Sequence, residues 1–169
     1  MKIVNDKIYL KVVFFGTALA GKTTSLRWLF RNAIPDDFKM AEKVRSLETS
    51  FGQTLFFDFA PIQVSSHVVV RLYTTTGQDY YTMTRRLLFE EVDGVFFVVD
   101  SQKQELDHNR EFVREFREYQ DNLESMKRAE VIVLLNKQDQ ADIFRPEEMA
   151  ELLGLDEYTT FPVCALSGS

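Results

Sequence analysis

The chain has one cysteine, Cys164, which rules out an internal disulfide and a cysteine-ligated metal cluster and suits a reducing compartment such as the cytosol. It has two histidines, His67 and His108, so a histidine-rich metal site is not expected. Four prolines and seven glycines leave no linker of the Pro/Gly-rich kind, and no internal repeat or low-complexity tract is visible. Basic charge is in deficit: Lys+Arg 20 against Asp+Glu 26 gives a net charge of −6, which argues against a general nucleic-acid binder. No apolar run reaches the roughly 18 residues of a membrane helix, so no integral membrane segment is expected. The opening Met1-Lys2-Ile3-Val4-Asn5-Asp6 is too polar for a signal peptide, and the end carries no lipidation box.

What is present is a core. The hydrophobic fraction is 45% with 15 phenylalanines, well outside the disordered range, and 169 residues correspond to one domain, 1–169. Apolar, β-branched or aromatic runs occupy residues 8–15, 55–59, 68–73, 95–99 and 131–135, with a weaker one at 161–164. The runs at 95–99 and 131–135 do not alternate, as expected of central strands covered on both faces. Between them, Leu106, Val113, Phe116, Tyr119, Leu123 and Met126 fall on one helical stripe, and Glu111, Arg114, Glu115 and Glu118 fill the solvated remainder. Strands alternating with helices predict an α/β sheet with helices on both faces. Residues 55–73 hold two strands around a short turn, an antiparallel hairpin placed at the sheet edge. His67 in that hairpin and His108 in a polar helical stretch read as surface residues.

Gly16-Thr17-Ala18-Leu19-Ala20-Gly21-Lys22-Thr23 follows an apolar strand and precedes a helix predicted over 22–32. This is the G-x-x-x-x-G-K-[ST] phosphate loop in its required context. Small residues and a helix N-terminus offer backbone N–H donors with no side chain in the way. The loop from Gly16, Ala18, Leu19 and Ala20 to Gly21, with Lys22, Thr23 and Thr24, is the candidate phosphate site. Lys22 supplies a point charge to the β- and γ-phosphates, and the Thr23 hydroxyl suits Mg²⁺. ATPases, kinases and GTPases all share this loop. The apolar run ending in Asp100 resembles the magnesium-holding strand of P-loop ATPases; a buried strand ending in a capping Asp is the preferred reading.

Asn136-Lys137-Gln138-Asp139 follows the buried run at 131–135 and resembles the guanine-reading N-K-x-D of Ras-like GTPases. The Asp139 carboxylate can accept from guanine N1–H and the 2-amino group, a donor pair that adenine lacks. Asn136 can bond the base edge and tie this loop to the phosphate loop, while the Lys137 stem covers base or sugar. Cys164-Ala165-Leu166 stands where that family has S-A-K, which implies that the Ala165 N–H reaches guanine O6; Cys164 also reads as a buried small apolar residue. The resemblance implies a Ras-like P-loop GTPase domain, α/β, with a mixed, mostly parallel sheet. It further implies GTP/GDP and Mg²⁺ as ligands and hydrolysis by in-line attack of water, in which Gly77 bonds the γ-phosphate and Gln78 orients the water.

The usual D-x-x-G-Q of that family is here Thr74-Thr75-Thr76-Gly77-Gln78. Thr at the first position is shared with the bacterial gliding-motility GTPases of MglA type. So are segments resembling Ser25-Leu26-Arg27-Trp28, Thr54-Leu55-Phe56-Phe57-Asp58-Phe59-Ala60-Pro61 and Val92-Asp93-Gly94-Val95; the similarity spans residues 12–139. This resemblance implies a switch whose states differ at 35–56 and 74–84, met by a GTPase-activating or roadblock-type regulator and an effector. Thr54 is the implied second magnesium ligand beside Thr23, with Thr49 as the alternative. Gln53 stands where the family has an arginine finger, and Ala18 where it has Gly, which implies slow unaided hydrolysis. Tyr80, Tyr81 and Met83 suit either core packing or a partner patch. A GTP-binding scaffold with negligible hydrolysis and a P-loop ATPase or kinase remain the alternatives. Ras-like domains end in a further helix, so one sheet face is expected to lack its usual cover.

Overall fold

The computed structural model of the chain describes residues 1–41, 45–48, 54–75 and 82–169. Its strands are β1 (Lys2–Val4), β2 (Lys7–Phe15), β3 (Arg45–Glu48), β4 (Thr54–Gln63), β5 (Val68–Thr74), β6 (Gly94–Asp100), β7 (Glu130–Asn136) and β8 (Thr159–Pro162). Its helices are α1 (Lys22–Trp28), α2 (Thr82–Phe89), α3 (Leu106–Asn122), α4 (Glu124–Arg128) and α5 (Pro146–Leu153). One sheet runs β3-β4-β5-β2-β6-β7-β8, with β1 paired to β2 off that path. The pairs β2–β5, β2–β6, β6–β7 and β7–β8 are parallel.

Antiparallel pairing extends beyond the expected hairpin. β4 and β5 form it, but β3 pairs outside β4, so the hairpin is not the edge among the described residues. β1 folds back on β2 through Asn5 and Asp6, at φ +48° and +58°. Two successive left-handed residues are what a tight hairpin turn needs, and Asn and Asp tolerate them best. The polar reading of that segment missed this signal. The first helix also departs from expectation: α1 ends at Trp28 and loosens into a π turn at Leu29–Ala33. The long stripe breaks at Leu123, whose extended φ −120°, ψ 119° separates α3 from α4.

Period-two alternation divides the core between two faces. Val13, Phe15, Val95, Phe97, Val99, Val133 and Leu135 pack with α2, α3, α4 and α5. Phe15 is their hub, its ring 5.3 Å from Phe89, 5.2 Å from Phe97 and 5.4 Å from Phe112. Each such fully buried side chain contributes about 1.5–3 kcal/mol. On the other face Phe14, Leu72 and Val98 pack against Leu26 of α1 and Phe30 of the π turn. Cover there is thinner, and Val12, Val70, Phe96 and Leu134 are only partly buried. A cleft of about 270 Å³ opens between Phe96, Leu134, Trp28 and the segment from Val163 to Ser169. The tail lies flat on the indole: a Cβ on Gly168 would fall 1.8 Å from the Trp28 ring.

Candidate nucleotide site

The phosphate loop crosses from the end of β2 to the start of α1. Both of its glycines are required by what approaches them. A Cβ on Gly16 (φ +144°) would sit 2.0 Å from Val98 O, and one on Gly21 (φ +101°) would sit 2.1 Å from Asn136 Nδ2. A side chain at either position would collide with strand β6 or with the base loop. Ala18 and Leu19 are exposed at the loop's tip, and Ala20 is buried beneath it. Thr24 lies in the first turn of α1.

Lys22 is buried, and its Nζ donates to Gly16 O at 2.8 Å and Thr17 O at 2.5 Å. Burial, helped by the Arg85 charge and partly opposed by Asp58, pushes its pKa down to about 7. Such an ammonium is poised to gain from an anion. The hydroxyls of Thr17 and Thr75 are buried with no hydrogen-bond partner. Buried hydroxyls left unpaired beside a phosphate loop are what a bound polar ligand would satisfy.

Asp58 is the functional residue that sequence reasoning missed. It is buried on β4, and its Oδ2 accepts from Thr23 Oγ1 at 2.5 Å and from Thr74 Oγ1 at 3.1 Å. Its own N–H donates to Thr74 Oγ1 at 2.9 Å, and Arg27 Nη2 approaches Oδ1 at 3.7 Å. Asp58 lies one step beyond the Phe59–Tyr73 register pair of β4 and β5. The carboxylate absent at position 74 therefore returns from the neighbouring strand. The available signal was a lone acid inside an apolar strand.

Asp100 follows its preferred reading, a buried residue that ends its strand and caps the following turn. Its Oδ1 accepts from Gln102 N–H, two residues on, at 3.1 Å, and its Oδ2 meets Lys137 Nζ of the base loop at 2.5 Å. The carboxylate that meets Thr23 is Asp58, so the ATPase-like reading of Asp100 as a magnesium holder has no support in the geometry. Among the described residues no group of three or more His, Cys, Asp or Glu could hold a metal. Hydroxyls with one carboxylate suit a hard, largely hydrated ion such as Mg²⁺.

The base loop is joined to the phosphate loop. Asn136 Nδ2 donates to Ala20 O at 2.7 Å, and Asn136 Oδ1 accepts from Ala165 N–H at 2.9 Å. The Ala165 N–H, expected to reach a guanine O6, is thus engaged by Asn136. Asp139 is exposed; Cys164 Sγ donates to its Oδ1 at 3.2 Å and Gln140 Nε2 to its Oδ2 at 2.8 Å. Those two bonds, Cys164 first, hold its carboxyl below the usual range, so it is an acceptor at neutral pH.

Several expected residues fall elsewhere. Gly77, Gln78, Thr49, Gln53, Tyr80 and Tyr81 lie outside the described residues. Thr54 opens β4, paired with Glu48 of β3. Arg85 of α2 is buried: its Nε donates to Glu115 Oε1 at 2.7 Å and its Nη2 to Oε2 at 3.0 Å. That bidentate pair commits it to α3. His67 and His108 are exposed, as expected.

Comparison with known proteins agrees with this geometry. The model of the ADP-ribosylation factor family matches residues 1–168. The mutual gliding-motility protein MglA of Myxococcus xanthus is 30% identical over 167 residues, 96% of this chain and 84% of that protein. The Arl6 BBS3 small GTPase of Trypanosoma brucei, solved with a bound nucleotide analogue, GppNp, superposes with a TM-score of 0.69. That match has 19% sequence identity and covers 96% of this chain and 90% of the other, so it speaks for the fold. With its glycine cradle, buried lysine and joined N-K-x-D loop, the chain belongs to the ADP-ribosylation factor family of small GTPases, GTP-binding switches that hydrolyse GTP.

Proposed function

We propose that the chain binds GTP and GDP with Mg²⁺ through the residues named above and hydrolyses GTP slowly without a partner. The observation that carries this reading is the Asn136–Ala20 bond, which ties the base loop directly to the phosphate loop. Lys22 leaves its two carbonyl acceptors for the β- and γ-phosphates, and the N–H groups of residues 18–24 line the same anion. Asp139 reads N1–H and the 2-amino group; the Ala165 N–H would leave Asn136 Oδ1 for guanine O6, while Asn136 keeps the base loop on Ala20 O. Mg²⁺, when bound, would neutralise charge on the β- and γ-oxygens. Thr23 and Thr54 are the hydroxyls that would hold it, and Asp58 accepts from the Thr23 hydroxyl beside that position. Gln78 orients the attacking water, and Gly77 donates to the γ-phosphate.

The GTP and GDP states differ at residues 35–56 and 74–84, where a GTPase-activating or roadblock-type regulator and an effector bind. The chain acts as one cytoplasmic domain; no described helix is long and apolar enough to cross a membrane. Competition between GTP and ATP tests the base assignment, and Asp139→Asn sharpens it. The variant should lose guanine affinity and gain xanthine nucleotides, whose 2-oxo group accepts rather than donates. Equal affinity of the wild type for ATP and GTP would sink the reading.

A further inference from the structure

The pairing of Asp100 with Lys137 serves neither the phosphates nor the metal. Asp100 ends β6 directly beside Asn136 in the parallel β6–β7 register. It is held from behind by the fully buried Asn109 of α3: Asp100 N–H donates to Asn109 Oδ1 at 3.3 Å, and Asn109 Nδ2 donates to Asp100 O at 2.8 Å. Its carboxylate is 2% exposed. In front of it Lys137 takes φ +69°, a left-handed conformation that a non-glycine residue adopts only when its surroundings hold it. The Lys137 ammonium meets Asp100 Oδ2 at 2.5 Å and donates to Gln102 Oε1 at 3.1 Å. The loop beyond is clamped to the same turn, with Gln138 Nε2 donating to Ser101 Oγ at 2.9 Å and Ser101 N–H to Asn136 O at 3.1 Å.

We propose that Asp100 is a positioning residue for guanine recognition: by fixing the Lys137 ammonium behind the loop, it lays the Lys137 stem beneath the base and aims Asp139. The reasoning is geometric. A lysine anchored only by solvent would let a left-handed residue relax toward right-handed φ. That relaxation would turn the chain just two residues before the Asp139 carboxylate. An anchored ammonium leaves the apolar stem to face the ring, and the anchor is itself immobile because α3 holds its backbone. The proposal rests on the guanine-nucleotide reading above and adds a residue to it.

The test uses the full chain loaded with a fluorescent GDP analogue and chased with excess GDP. Asp100→Asn keeps the shape and an acceptor for Gln102 N–H, but removes the charge. Release should quicken about ten- to a hundredfold, the scale of a sub-ångström loss of aim in a rigid site, with the association rate little changed. The affinity ratio of GDP to inosine diphosphate, which lacks the 2-amino group, should fall as Asp139 loses its aim. A merely structural Asp100 would lower the melting temperature and leave that ratio alone. In a Lys137→Ala background Asp100→Asn should add less than about twofold, because positioning through Lys137 is non-additive. Should Asp100→Asn fail to fold, Lys137→Met keeps the stem and removes the ammonium, and faster release is expected from it too. Wild-type release and GDP-to-inosine-diphosphate ratio in the folded variant, or an effect that simply adds to Lys137→Ala, overturn the proposal. Wild-type protein that fails to prefer GDP over ADP would instead overturn the functional reading itself.

Discussion

At the scale of single residues, Lys22 and Asp58 carry the sharpest expectations. Burial holds Lys22 down to about pH 7, and a phosphate beside it would raise that value. The sign follows from linkage. Below pH 7 the lysine is charged before and after binding, so affinity is flat. Above it the free protein must take up a proton to bind, so GDP affinity should fall by up to about tenfold per pH unit. Titration from pH 7.5 to 8.5, above the ligand's phosphate ionisation and below that of guanine N1–H, reads this slope. A flat profile would show that Lys22 keeps its proton without help from phosphate. Asp58 makes a separate prediction. Asp58→Asn preserves the contact with Thr74 but removes the negative charge beside Thr23. The Mg²⁺ concentration that half-retains labelled GDP should rise about ten- to a hundredfold, as for other residues that support metal ligands. No change would place the metal away from Asp58.

Among the elements, β4 is the one expected to move with the nucleotide. In sequence Leu55-Phe56-Phe57 is apolar at consecutive positions, so a period of two would assign apolar residues to both faces of the strand. A one-residue slip usually turns a strand's core set toward solvent, and here that loss is reduced. β3 already pairs with β4 irregularly, its register shifting between Ser46 and Glu48. We expect β4 to change register against β5 between GDP- and GTP-analogue-bound structures, bringing Thr54 to the metal only with GTP. Two structures that share the Phe59–Tyr73 pairing would refute this. The opposite behaviour is expected of β2, which is parallel-paired on both sides and carries Phe15 at the centre of the aromatic core. Such a strand cannot slide without emptying that core, so the phosphate loop keeps a fixed base.

The whole molecule hydrolyses GTP only as fast as its complete set of charges allows. Gln53 brings no charge, and Arg85 is committed to Glu115 and stacked over Phe112 at 5.3 Å. Unaided single-turnover hydrolysis should run at about 10⁻⁴ to 10⁻³ per second, like a small GTPase without its activator. Gln53→Arg should speed it. A rate near about 1 per second for the wild type would mean that another cation reaches the γ-phosphate, since an arginine in place is worth about a thousandfold or more.

The sequence alone determined whatever is carried by contiguous residues. The phosphate loop and the N-K-x-D loop are short runs whose backbone geometry and side-chain chemistry travel together, so their place after a strand could be read directly. The central strands were equally legible, because burial on both faces leaves an unbroken apolar run, and the stripe of α3 showed in its period. Tertiary structure decided what depends on pairing between distant segments. Asp58 reaches Thr23 only because β4 is aligned with β5 beside α1, and Asp100 reaches Lys137 only because β6 and β7 end level. In the sequence these are 35 and 37 positions apart, and no local propensity links them. The edge strand β3 and the hairpin strand β1 were hidden for a related reason: a short strand has little pattern of its own and is defined by the neighbour whose N–H and C=O groups it satisfies.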